Sequence, residues 1–446
     1  MATPRRPATF ERGLDTPPAT PASMSADDSK TPSTHIATTI PTPPTSPRAT
    51  RKSANDSSND TPLSTPQVLS SASPFQQRGG ALQRIKTDLP QDYTPPTVFL
   101  VPRCPFEVEI LKDGRGRDAI FGNGAWSIVY KATTRPKSHQ STSESLTPPQ
   151  SPTVSTPELV AVKKPNRGDA TIILRNEAKV LAYLHSMPDS ERYIVPFCGI
   201  MEEATLVLQA IPFSLEGHIR KCAFTASRNL STRTMNEPVI GSTAIWLQLA
   251  HRLVSALTWL HCVAGVVHGD IKPGNILLSN MQGDEAGQSQ NQINGNDVRL
   301  TFDPLFADFS SAQLINAQEP TSNTLSAVTR EYTAPELLKA SVLRDPESTA
   351  TAASDVFSLA VTLLVAATGQ LLVYPGSVFQ RQLMATQGWM VLDHIRNGDQ
   401  GSRVPRNGVV QKVLEQAVRK VDAGRVGALQ WLDIVEKVIS AESSKL

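Results

Sequence analysis

The residues able to do chemistry gather on one stretch, Gly265-Val266-Val267-His268-Gly269-Asp270-Ile271-Lys272-Pro273-Gly274-Asn275-Ile276-Leu277-Leu278. It carries an acid at Asp270, a base at Lys272 and an amide at Asn275, spaced so that each can do separate work on one phosphate. Apolar flanks, Val266-Val267 and Ile276-Leu277-Leu278, predict short buried strands that hold the loop between them. Two further charges follow apolar runs: Lys163 after Leu159-Val160-Ala161-Val162, and Asp308 after Leu305-Phe306-Ala307. Upstream, Gly122-Asn123-Gly124-Ala125-Trp126-Ser127-Ile128-Val129 has glycines that let backbone N–H groups close over phosphates, although an ordinary strand turn wants glycine too.

These residues need a scaffold. Strand patterns occur at Val108-Glu109-Ile110, Ser127 to Ala132, Leu159 to Lys163, Ile194 to Ile200 and Thr205 to Gln209. Asp169 can cap a helix whose apolar positions Ile173, Val180, Leu181 and Leu184 recur until Pro188. Five strands and one helix predict a small α+β lobe, ending near Ala210 to Ser214 where Pro212 interrupts both periods. Beyond it the pattern is helical: Ile245 to His261, Asp355 to Ala367, Val378 to Arg396, Val409 to Lys420 and Val426 to Ser440.

The chain has 446 residues, room for one large domain plus tails. A formal net charge of +2 gives no reason to expect nucleic acid or acidic lipid as a partner. Cys104, Cys198, Cys222 and Cys262 are too scattered for a metal site or a secreted disulfide scaffold. The first ten residues lack the apolar core of a secretory signal, and the apolar run Val356 to Thr368 is too short to span a bilayer. A soluble cytoplasmic and/or nuclear protein without a membrane partner is expected. Most of the 35 prolines crowd the first hundred positions and one later insert. Residues 1–103 therefore read as a disordered Ser/Thr/Pro-rich tail, 104–440 as the folded domain with disordered inserts at about 134–157 and 281–297, and 441–446 as a short tail. Ser/Thr-Pro pairs recur from Thr16-Pro17 to Thr94-Pro95, either from composition alone or as substrates of proline-directed kinases.

The pattern His268-x-Asp270-x-Lys272-x-x-Asn275 resembles the catalytic loop of eukaryotic protein kinases, and other elements of that family occur in its order over roughly 104 to 440. Gly122 to Val129 is similar to the family's glycine-rich loop, with Ser127 where a third glycine is usual. Val160-Ala161-Val162-Lys163 resembles its V-A-I-K strand, and Ala307-Asp308-Phe309-Ser310 its D-F-G element. Ala334-Pro335-Glu336 resembles the end of its activation segment, and Asp355-Val356-Phe357-Ser358 a helix start whose Asp braces the catalytic loop.

The resemblance implies a bilobal α+β protein kinase fold, with a five-stranded antiparallel sheet and helix in the small lobe and a mainly helical large lobe. It also implies ATP and Mg2+. Asp270 would accept the proton of the acceptor hydroxyl, Lys272 would neutralise the γ-phosphate, and Asn275 and Asp308 would hold magnesium. Lys163, positioned by Glu177, would hold the α- and β-phosphates under the loop Gly122, Asn123, Gly124, Ala125, Trp126 and Ser127. Adenine would lie between Val129 and Ala161 above and Leu277 below, with Leu208 at the back wall and the backbone of Gln209 to Ile211 at its edge. Core packing is the plainer reading of each of these apolar residues, and the two are compatible. Leu181, His268 and Phe309 would pack behind the metal site. Thr329 would reach toward Asp270 and Lys272, and Glu336 would be anchored by Arg425.

Lys272 resembles serine/threonine rather than tyrosine kinases, so the expected acceptor is a protein hydroxyl. His268-Gly269-Asp270 also occurs in small-molecule kinases of the aminoglycoside and choline type, which lack the A-P-E segment, Lys272 and the glycine-rich loop. A pseudokinase scaffold is the non-enzymatic alternative, given the altered positions Ser127, Gly269 and Ser310. Gly269 replaces an arginine that normally pairs with a phosphorylated activation loop. Control by abundance rather than by phosphorylation of Ser322, Thr324 or Ser326 is expected. Leu146-Thr147-Pro148-Pro149-Gln150-Ser151-Pro152 resembles phosphodegrons read by F-box proteins with WD40 propellers, in which Thr147 and Ser151 would carry the phosphates; a further chance Ser/Thr-Pro pair is the other reading.

Overall fold

The computed structural model describes residues 100–136, 158–281, 300–315 and 329–445, save 203, 230, 233, 346, 347 and 389. The described residues all fall within one compact unit, Leu89–Leu446. Among the described residues six strand segments lie in the small lobe, with a helix between the fourth and fifth: β1 (Phe106–Ile110), β2 (Ile120–Asn123), β3 (Ser127–Pro136), β4 (Leu159–Pro165), β5 (Phe197–Met201) and β6 (Thr205–Gln209). They form one antiparallel sheet of order β1-β3-β4-β6-β5, with β2 also on β3. The expected five strands become six segments because the turn from Lys112 to Asp118 splits the edge: β1 and β2 pair with successive parts of β3. In β4 the two-residue alternation buries Val160 and Val162 with Cys104, Ala132 and Val207, and turns Ala161 and Lys163 to the opposite face. Helix α1 (Ala170–Ser186) lays Leu174, Ala178, Leu181 and Leu184 on the lobe's core.

The large lobe is built around α5 (Ala352–Thr368), which is buried from Ser354 to Thr368. A helix apolar on all sides belongs inside a core, and this one is started by a Thr351–Ser354 capping box and ended by Gly369 at φ +76°. Among the described residues no helix is long and apolar enough to cross a membrane. The lobe's other helices are α2 (Leu215–Arg228), α3 (Thr243–Thr258), α4 (Ala340–Arg344), α6 (Val378–Gln387), α7 (Val391–Arg396), α8 (Val409–Leu414) and α9 (Ala428–Ser443), of which α2, α3 and α8 pack on α5. The indole of Trp246 on α3 donates to Leu363 O at 2.9 Å, locking α3 to α5. Two short ladders frame the loops below the sheet: β7 (Val266–Val267) with β10 (Gln313–Leu314), and β8 (Ile276–Ser279) with β9 (Asp303–Phe306).

Several boundaries differ from expectation. Pro102 O and Cys104 N bond Ile200 at 2.9 Å each, so the ordered chain begins before residue 104. Gly199, at φ +120°, makes room for this pairing, since a Cβ there would stand 2.7 Å from Pro102 O. β3 runs on to Pro136, shortening the insert expected from Thr134, and α9 runs to Ser443 rather than stopping at Ser440. Asp169 occupies the N-cap of α1 without capping it, because its carboxylate pairs with Arg167 Nε at 2.8 Å. The single helix expected over Val378 to Arg396 is two, broken at Gly388 with φ +52°. The helix at Val409 stops at Leu414, where the chain goes over into turns. Helix α2 was not anticipated, although Ser214 caps it and Leu215 and Ile219 are buried four residues apart. The remainder of both inserts, the Ser/Thr-Pro tail and Ser322, Thr324 and Ser326 lie outside the described residues.

Candidate active site

The sheet, α1, the start of α2, the stretch from Asp270 to Leu277 and the turn from Ala307 to Ser311 enclose a cleft of about 630 Å³. On its sheet side Lys163, 4% exposed in the middle of β4, donates to Glu177 Oε1 and Oε2 at 2.6 and 2.7 Å and to Asp308 Oδ1 at 2.8 Å. Phe309 N donates to the same Glu177 Oε1 at 3.2 Å. One ammonium thus joins the sheet, α1 and the turn after β9. Burial opposes the charge on Lys163, but the Asp308 and Glu177 carboxylates outweigh it and hold the ammonium protonated well above the ordinary lysine range. Burial likewise works against the Asp308 carboxylate, but Lys163, helped by Ser310 and Lys272, outweighs it and keeps it below the usual range. For Glu177 burial wins, and its carboxyl is raised despite the pull of Lys163.

On the opposite side the catalytic-loop stretch is held from behind. Asp355 on α5, 1% exposed, accepts from His268 N at 2.7 Å and Gly269 N at 3.0 Å, and lies 3.0 Å from His261 Nε2. The His268 ring packs on Phe309 with centroids 4.8 Å apart, and its Nε2 lies 3.1 Å from Ala307 O. Gly269 sits at φ +82°, where a Cβ would stand 2.6 Å from Ser311 O. In front, Lys272 Nζ donates to Asp270 Oδ2 at 2.6 Å and Thr329 Oγ1 at 2.8 Å. Asn275 Nδ2 donates to Asp270 O at 2.9 Å and Oδ2 at 3.1 Å. Burial raises the Asp270 carboxyl, and Lys272 partly offsets it.

The residues expected in the site therefore meet. Gly122 to Ser127 line one wall of the cleft, Val129 and Ala161 its roof, and Leu277 its floor. Leu208, Gln209 and Ile211 close the back, and Leu181 stands with them. Glu336 lies away from the cleft, in a two-pronged pair with buried Arg425 at 2.7 and 3.0 Å. Thr147 and Ser151 fall outside the described residues. Not anticipated were Ser214, Glu216 and Arg220 at the rim, carried by the unforeseen α2, and Asn166, whose side chain bonds the glycine-rich loop.

A protein kinase domain model matches residues 152–434. This chain belongs to the protein kinase family. The match begins after β3, so the glycine-rich loop lies before the matched stretch. Among similar proteins, the serine/threonine-protein kinase ISR1 of Saccharomyces cerevisiae is 30% identical over 43% of this chain and 40% of its own length. The rice LRR receptor kinase SERK2 is 25% identical over 68% of this chain and 40% of its own. A probable L-type lectin-domain containing receptor kinase S.7 of Arabidopsis thaliana is 31% identical over 33% and 18%. The chain spans less than half the length of each of these relatives. The kinase domain implies ATP as substrate, and the donor set fits a hard cation: Asp308 offers carboxylate oxygens, and Asn275, with Nδ2 committed to Asp270, has Oδ1 left for a ligand. Among the described residues no group of three or more His, Cys, Asp and Glu side chains is placed to hold a metal ion.

Proposed function

We propose that this chain transfers the γ-phosphate of ATP to serine or threonine hydroxyls of protein substrates. The observation that carries this reading is Lys163, bonded at once to Glu177 and to Asp308, which is 145 residues away in the chain. Such a triad puts a fixed positive charge where the phosphates of a nucleotide under the glycine-rich loop would lie. Asp270 takes the proton of the acceptor hydroxyl as its oxygen attacks the γ-phosphorus, and ADP leaves. Lys272, held between Asp270 and Thr329, offsets the charge of the transferring group and seats the hydroxyl beside its base. Magnesium held by Asp308 and Asn275 would supply charge neutralisation at the phosphates. The test is purified full-length chain with ATP, magnesium and Ser, Thr and Tyr peptide libraries. Transfer to Ser/Thr that vanishes in Asp308→Ala supports the reading; transfer that persists there would mark a contaminant.

Control is proposed to act through abundance. Gly269 offers no side chain to a phosphorylated activation segment, and Ser311 fills the space where one would begin. Alanine at Ser322, Thr324 and Ser326 should leave the rate within about twofold. Proline-directed phosphorylation of Thr147 and Ser151, read by an F-box/WD40 ubiquitin ligase, would set turnover; Thr147→Ala should then lengthen the protein's half-life in cells. An unchanged half-life would remove that idea.

A further inference from the structure

Three consecutive carbonyls of the glycine-rich loop point to one residue outside the cleft. Asn166 Nδ2 donates to Gly124 O at 3.0 Å and Ala125 O at 3.2 Å, and Asn166 N donates to Trp126 O at 3.1 Å. In a trans peptide the C=O and the following N–H point opposite ways. Holding Gly124 O and Ala125 O on the Asn166 side therefore turns the N–H groups of Ala125 and Trp126 the other way. Gly124, Ala125 and Trp126 line the cleft while Asn166 does not, so that other way is toward the cleft. Successive N–H groups aimed at one point make an anion-binding concavity. The neighbouring Arg167 lays its guanidinium over the Trp126 ring at 4.2 Å, and Asp169 fixes it from behind. Gly124 N donating to Ser127 O at 2.8 Å closes the turn.

We infer that Asn166 and Arg167, in the turn between β4 and α1, clamp the glycine-rich loop and orient its N–H groups for the nucleotide's phosphates, an inference that rests on the kinase reading above. They are positioning residues, touching the loop rather than the substrate. The clamp acts on phosphates and not on the adenine side of the cleft, which separates it from a general effect on the lobe.

The test compares binding of magnesium-ATP and of adenosine to full-length protein by calorimetry. In Asn166→Ala, ATP should bind roughly fivefold more weakly, the worth of one or two exposed hydrogen bonds. Adenosine should be unaffected and the thermal midpoint unchanged. Asn166→Asp, which keeps the shape but cannot donate to carbonyls, should lose at least as much; Asn166→Gln should recover part. Unchanged ATP affinity in Asn166→Ala, or equal weakening of ATP and adenosine, overturns the clamp while leaving phosphate transfer by the wild type intact. Wild-type protein that neither binds ATP nor transfers phosphate overturns the kinase reading and the clamp with it.

Discussion

Two loops face one cleft and are held in opposite ways. The catalytic loop is buried: His268 is fully so, Ile271, Pro273 and Asn275 nearly so, and its backbone hangs on the carboxylate of Asp355 in the core helix α5. The glycine-rich loop is exposed at Asn123, Gly124 and Ala125, and its ties run to exposed Asn166 and Arg167. A buried carboxylate holding backbone N–H groups cannot be replaced by water, whereas an exposed amide can. The first loop is thus set with the fold, and the second is adjustable without unfolding anything.

The comparison can be broken from either side. The largest effect belongs to Asp270→Asn, which removes the proposed base and keeps the shape; kcat should fall roughly a hundred- to ten-thousandfold with the thermal midpoint unchanged. Next comes Asp355→Ala, which leaves the N–H groups of His268 and Gly269 buried without their acceptor. A loss of about 3 kcal/mol in denaturant unfolding is expected, together with the activity. A fully active, stable Asp355→Ala protein would show that the loop holds itself. Gly269→Ala puts a Cβ into Ser311 at left-handed φ and should cost about 1–3 kcal/mol by the same measurement.

Acidity tests the same loop more gently. The Asp270 carboxyl is raised by burial and eased down by Lys272. In its proposed role as base it acts ionised, so the rate should fade as pH falls through its pKa. Removing a cation that favours the carboxylate raises that pKa further, so Lys272→Ala should shift the acid limb of the pH–rate profile to higher pH. A limb that stays put or moves down would separate the two residues. The smallest change is expected from Ser127→Gly on the other loop: stability lower by about 0.5–1 kcal/mol at most and a modest rise in KM for ATP, with kcat kept.

Much of the site was legible because its residue types admit few substitutes. A lysine inside an apolar strand, an aspartate after one, and an acid, a base and an amide within six residues each invite a chemical reading. The strands flanking the catalytic loop were legible for the same reason: Val266, Ile276 and Leu278 have nowhere else to go but inward. Helix α2 was harder to see because it buries only Leu215 and Ile219 and leaves even Phe224 exposed, so its apolar face is short. Asn166 was invisible, since a polar residue in a turn after Pro165 looks like any loop residue until the carbonyls it faces are known.

By itself the sequence determined which groups are present, their order, and the local periods that place Ala161 and Lys163 on one strand face and Glu177 on a buried helix face. Those follow from alternation and helical repeat, which are local. Only the tertiary structure decided that Lys163 bonds Glu177 and Asp308 together, that Asp355 holds His268 and Gly269, and that Ser311 denies Gly269 a side chain. Each of these joins residues 14 to 145 positions apart. No local rule specifies such distances; packing of the sheet, α1 and α5 around one core does.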